Sequence, residues 1–240
     1  MKTKNLLLSF LLLLQFSLFA QEDKSERKWE IGIHFSPDYV YRSLKVHKEQ
    51  EVSSFIVRTR DSLEIADLGF TTGFSFRYKL SQRFHLETGL YHARKGYQSI
   101  WIDSLKPLVP DPAIPEKFKT KEQFHYIELP LKAYFIAFQK ERFEAFIASA
   151  FSAGHLINYN HTVYYQFPDR DENIQFATNY QFKNFNFSYW LSAGFTYFVS
   201  KRFRVQFEPF FRKSINSIID APIHGRLWSV GLNSGLYFAL

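Results

Sequence analysis

The sequence predicts an all-β protein, an eight-stranded antiparallel up-and-down transmembrane β-barrel. Three observations predict it. Large apolar residues alternate with small, polar or charged ones through eight stretches, the period of a strand with two unlike faces. Very short turns and long segments alternate between those stretches, as they do in bacterial outer-membrane barrels. The chain also opens on a segment with the make-up of an export signal. Composition agrees: 240 residues carry 28 Phe and 14 Tyr but a single Met, and aromatic rings favour pleated, half-buried surfaces.

Residues 1–20 read as a signal peptide, leaving 21–240 as the barrel domain. Lys2 and Lys4 give the positive start, and Leu6 to Phe19 is apolar except at Ser9, Gln15 and Ser17. Ala20 is the small residue before a cleavage point at Gln21. The apolar run is shorter than the ~20 residues a helix needs to cross a bilayer. There is no cysteine, so neither lipid attachment after the run nor a disulfide framework is available. No later stretch has the length and apolarity of a spanning helix. A membrane crossing must then be a closed barrel, because open strands leave backbone groups unpaired in hydrocarbon. The net charge of +7 is ordinary and gives no argument for nucleic acid.

The strands are expected near 29–41, 66–80, 83–97, 124–138, 142–157, 182–199, 202–214 and 225–239. The sixth is the clearest. Phe185, Phe187, Tyr189, Leu191, Ala193, Phe195, Tyr197 and Val199 share one face, opposite Asn184, Asn186, Ser188, Trp190, Ser192 and Gly194. The eighth sets Trp228, Val230, Leu232, Leu236 and Phe238 against Ser229, Gly231, Asn233 and Gly235.

Short turns fall at Ser81-Gln82, Gln139-Lys140-Glu141 and Ser200-Lys201, each leading into Arg-Phe: Arg83-Phe84, Arg142-Phe143 and Arg202-Phe203. The unit of hairpin plus long loop thus recurs at about 60 residues. The long segments are 42–65, 98–123, 158–181 and 215–224. Short turns and both termini are expected in the periplasm, and the long loops outside the cell. The segment with Pro107, Pro110, Pro112 and Pro115 reads as irregular. By contrast, Thr162 to Phe167 and Ile174 to Ala177 flank a polar turn, predicting that strands five and six continue as a tall hairpin. Ser54 to Arg60 suggests the same for strands one and two.

Alternation alone leaves two barrels open, a membrane barrel with its apolar face outward and a soluble lipocalin-like barrel with that face around a ligand. Three features favour lipid. The apolar face is free of charge through the strand centres, with Arg94 and Lys213 near one boundary. Aromatic residues gather at its ends: Trp29, Tyr78, Phe84, Phe143, Tyr197, Phe203 and Phe238 by the short turns, and Tyr39, Tyr41 and Trp228 by the long loops. Such rings prefer the headgroup level. The other face mixes glycine with charge, as a narrow lumen requires.

That lumen is expected to hold Glu30, His34, Arg77, Lys79, His85, Glu87, Glu128, Lys132, Glu144, Arg204, Glu208 and Arg212. A proton path, small pore or catalytic cluster is weighed against a structural network of ion pairs, and the network is preferred because buried charges need partners. His92, His125, His155, His161 and His224 lie towards the long loops, but no spacing singles out a serine–histidine pair. No metal-ligand spacing or glycine-rich phosphate loop appears, so no catalytic residue, metal or cofactor is assigned. Lys117, Lys119 and Lys121 could meet lipopolysaccharide phosphates, against the simpler reading of a solvated loop.

Phe19-Ala20-Gln21, the run Tyr126-Ile127-Glu128-Leu129-Pro130-Leu131 and the ending Gly231 to Phe238 together resemble the PorT-like outer-membrane β-barrel family of Bacteroidetes. The resemblance implies an eight-stranded barrel in the outer membrane and, for some members, a link to type IX protein secretion. It carries over no catalytic residues. The expected role is a non-enzymatic envelope component in contact with outer-membrane lipid and lipopolysaccharide, with envelope or secretion proteins as partners. A small-solute pore, a lipid-modifying enzyme and a soluble periplasmic ligand-binding barrel are the alternatives.

Overall fold

The computed structural model describes residues 28–46, 51–104, 111–176, 182–219 and 221–240. The predicted signal peptide lies outside the described residues, as do four or more residues in each of three long loops. The strands are β1 (Trp29–Val46), β2 (Glu64–Lys79), β3 (Phe84–Ser99), β4 (Ile102–Asp103), β5 (Lys117–Lys140), β6 (Phe143–Gln166), β7 (Asp171–Phe176), β8 (Phe185–Phe198), β9 (Phe203–Ser214) and β10 (Ile223–Ala239). One helix, α1 (Glu51–Leu63), joins β1 to β2. Among the described residues no helix is long and apolar enough to cross a membrane.

Eight antiparallel strands form a closed ring. From β5 the order runs β3, β2, β1, β10, β9, β8, β6, and β6 pairs back to β5. The first and last strands meet with Ile31 opposite Phe238 and Tyr41 opposite Trp228. Closure leaves no edge within the ring, which is what hydrocarbon demands of a strand.

The apolar parity faces out. Ile33, Phe35, Phe74, Leu131, Ile147, Leu191 and Leu236 are exposed, while Glu30, Arg77, Glu128 and Glu208 are almost completely buried. The lipocalin-like alternative, with its apolar face inward, is therefore not the arrangement adopted. Rings band the outer wall at both ends. Trp29–Tyr78, Phe84–Phe135, Phe143–Phe195 and Phe203–Phe238 pair at the short-turn end. Tyr41–Trp228 and Phe211–Trp228 pair at the other.

Two short turns share a local device. Ser81 Oγ accepts from the backbone N–H of Arg83 and Phe84. Ser200 Oγ does the same for Arg202 and Phe203. The hydroxyl satisfies donors that the tight turn leaves without backbone partners.

Two expectations about the long segments are corrected. Ser54 to Arg60 is helical, within α1, and does not extend β1 and β2 as a hairpin. The side chain of Arg42, itself buried, binds Asp61 at 2.8 Å and Glu64 at 2.6 Å, and this contact holds the segment as a helix over β1. Lys117 to Lys121 is not a loop but the first part of β5, paired with β6 through Lys119 opposite Tyr164. The tall hairpin of strands five and six is present. β5, β6 and β7 continue beyond the ring, with β4 pairing on β5 and β7 on β6. β5 runs from Lys117 before its first partner on β3, at Lys121, and β6 runs on to Gln166 after its last partner on β8, at His155.

Candidate functional site

Buried side chains line the lumen in successive layers. By the short turns, Glu30 pairs with Arg204 and lies 3.4 Å from Lys79 and 3.9 Å from Arg77. His85 and Glu144 are buried at the same end. Below them Tyr134, Ile136, Phe146 and Ala148 form a small apolar floor.

One layer up, Arg77 is held on several sides. Its Nε donates to Glu87 at 3.0 Å, and one terminal nitrogen donates to Gln206 at 2.8 Å and to Tyr237 at 2.5 Å. The rings of Tyr134 and Tyr237 lie 4.2 and 3.9 Å from the guanidinium carbon. Both phenols in turn donate to Glu87, at 3.1 and 2.7 Å. Lys132 then pairs with Glu208, which also accepts from Ser192, Gln206 and Asn233.

Nearer the long loops, Arg212 bridges Asp38 at 2.5 Å and Glu128 at 3.1 Å, and Lys95 also donates to Glu128. Above this sits an apolar plug of Tyr97, Phe124, Tyr126, Ile218 and Leu227, with Tyr41, Leu156, Tyr159 and Phe182 against it. Burial pushes the Tyr97 phenol up from its ordinary pKa, and the Glu122 carboxylate adds to this. Tyr97 therefore stays a neutral acceptor for Arg60, 3.4 Å away.

The residues expected from sequence all face this column, Lys79 at its margin. His34 lies mid-column, with Nε2 at 2.7 Å from Ser75 Oγ. That is the distance of a nucleophile from its base. Both groups are buried, Tyr91 and Tyr237 pack edge-on against the imidazole, and Nδ1 has no hydrogen-bond partner to orient it. Asp38, Lys95, Arg42, Gln206, Tyr134 and Tyr237 join the network without having been anticipated. Lys95, Tyr134 and Tyr237 already stood on lumen-facing positions of their predicted strands. Arg42 lay beyond the predicted end of its strand.

The long-loop histidines are dispersed. His161 binds Glu122 at 2.8 Å, His155 packs on Phe185, and His92 meets His125. Among the described residues, no group of three His, Cys, Asp or Glu gathers where it could hold a metal ion. The projecting sheet carries different chemistry. On its outer face Lys119 lies 5.4 Å from the Trp101 ring and 5.3 Å from that of Tyr164. All six residues of β7 are exposed, and among the described residues β7 pairs on one side only.

Residues 19–220 match the family model described as outer membrane protein beta-barrel domain. No curated protein matches the chain. Solved structures of similar shape include Neisserial surface protein A, at 10% identity and TM-score 0.39, covering 88% of this chain and 97% of that one. The outer membrane protein OprG of Pseudomonas aeruginosa has 12% identity and TM-score 0.43, with coverage of 90% and 98%. The outer membrane protease OmpT of Escherichia coli has 8% identity and TM-score 0.41, with coverage of 92% and 100%. At scores this low the likeness says nothing about role.

Proposed function

Because the chain belongs to the outer membrane protein beta-barrel domain family, we propose that it is a non-enzymatic, non-conducting envelope component whose projecting sheet binds a partner. The observation that carries this reading is the continuous column from Glu30 to Arg42, closed by the floor around Tyr134 and the plug around Tyr97. A barrel packed in this way offers a solute no path, and its main interior charges pair with one another. What remains for function is the rim.

In this reading the short turns and both termini face the periplasm and the long loops face outside. Residues 1–20 are removed on export. The surrounding partners are outer-membrane lipid and lipopolysaccharide, and the specific partner is an envelope or secretion protein, as the PorT-like resemblance implies. The half-paired β7 and the Trp101–Lys119–Tyr164 face are the surfaces available to it.

Two experiments test the proposal. The purified protein in planar bilayers is expected to give no single-channel conductance, and steady openings would refute a sealed lumen. Site-specific cross-linking from Trp101 and Lys119 in whole cells is expected to capture a discrete product. That product should disappear when residues 160–176 are replaced by a short turn, with heat-modifiable gel mobility retained. Cross-links that persist without the hairpin would move the partner site elsewhere on the rim.

A further inference from the structure

The outer wall carries a cluster at the long-loop end that neither the column nor the projecting sheet uses. Arg94 and His92 stand on the outward face of β3, and His125 of β5 is opposite Arg94 in register. His92 Nε2 is 3.2 Å from His125 Nδ1, with the rings stacked at 5.4 Å. Phe70 of β2 packs edge-on against His92 at 5.8 Å and lies 4.7 Å from the Arg94 guanidinium carbon. The guanidinium makes one long hydrogen bond, to the Leu68 carbonyl at 3.5 Å, and its Nε is buried without a partner.

No carboxylate pairs with Arg94, His92 or His125 among the described residues. Asp67, in the bulge of β2, is taken by Lys121 at 2.9 Å. On β6, His155 faces the same side, opposite Ile127. The cluster therefore sets one guanidinium without a carboxylate partner beside two imidazoles that hydrogen-bond each other and keep one ring nitrogen each.

Its depth follows from the strand. Arg94 lies about ten residues along β3 from Phe84 in the short-turn girdle, and a tilted strand crosses the hydrocarbon in ~9–11 residues. Arg94 thus reaches the level of lipid headgroups, the level at which an outward cation costs little.

We propose that Arg94, His92 and His125 bind the phosphate group of a membrane lipid headgroup. A guanidinium fork matches phosphate oxygens two at a time, and the imidazoles supply further donors beside it. The same guanidinium argues against a metal ion between the histidines, since it would repel a second cation. A bound phosphate favours protonation of an imidazole. Phe70 on β2, Ile127 on β5 and His155 on β6 border the site. This inference does not depend on the projecting sheet. It takes from the proposed orientation only the leaflet, which makes the lipid a phosphorylated glycolipid.

The test uses the full mature protein in octyl glucoside, a detergent without phosphate. Lipid A and inorganic phosphate are titrated separately and in competition, with bound lipid read by native mass spectrometry. One lipid A per barrel is expected, displaced by inorganic phosphate only at large excess. Arg94→Gln and His125→Asn should each weaken it roughly tenfold or more, as loss of a charge-assisted contact does. Lys213→Gln, an outward cation on β9, should leave it unchanged. Heat-modifiable mobility confirms that each variant is folded, and Arg94→Lys should retain part of the affinity. Equal affinity for inorganic phosphate and lipid A would assign the site to the free anion and overturn the lipid reading. An equal loss in Lys213→Gln would reduce it to a diffuse basic belt, and unchanged binding in both Arg94→Gln and His125→Asn would remove it altogether.

Discussion

Arg212 shows most directly what the interior charges do. It is buried between Asp38 and Glu128, and Glu128 also holds Lys95. Arg212→Leu strands the Asp38 carboxylate and is expected to cost about 3–5 kcal/mol, as losing one member of a buried pair does. The double change Arg212→Met with Asp38→Leu should recover part of that loss, because Glu128 keeps Lys95. Urea unfolding in detergent followed by gel mobility would measure both. Close approach sets a different limit at Gly73, where an added Cβ would meet the Leu90 carbonyl oxygen at 2.2 Å. Gly73→Val should destabilise by about 1–3 kcal/mol through overpacking, read in the same assay. Parity alone located Glu30, Arg77, Glu128 and Arg212, since each stands on the polar face of a clean alternation. It could not assign partners, because contacts such as Glu30 with Arg204 join strands far apart in sequence.

Elements differ in how far local chemistry decides them. The serine turns are local, and Ser81→Ala or Ser200→Ala should each cost about 0.5–1.5 kcal/mol, the net worth of an ordinary hydrogen bond, again measured in urea. Helix α1 is not local. Its β-branched and aromatic residues read as strand, yet Arg42 and Arg60 converge on Glu64 at its end and override that preference. Glu64→Gln is expected to speed proteolytic cleavage within 51–63 while the heat-modifiable shift persists. Bulges hid more of the pattern. Between Leu156 and Asn158 β6 carries an extra residue opposite the step from His125 to Tyr126, and one extra residue exchanges the faces beyond it. Even-numbered residues of β6 face the lumen below that point and odd-numbered ones above it. The irregularity between Ala66 and Phe70 frees Asp67 to meet Lys121.

At the scale of the molecule, the ring was legible because a membrane asks for one simple thing, a closed wall with a dry outer face. The pairing of the interior charges was not, since whether opposed charges neutralise one another depends on strand order and register around the whole circle. The column also joins the two ends of the chain. Glu30 meets Arg204, Asp38 meets Arg212, and Arg77 on β2 reaches Gln206 and Tyr237. A chain lacking β9 and β10 would keep the acids of β1 and lose their bases, so removal of residues 203–240 should abolish the heat-modifiable form and leave no partly closed barrel on the gel. The interior chemistry thereby ties closure of the wall to completeness of the chain. An incomplete polypeptide carries acids whose answering bases have yet to be supplied by its last strands.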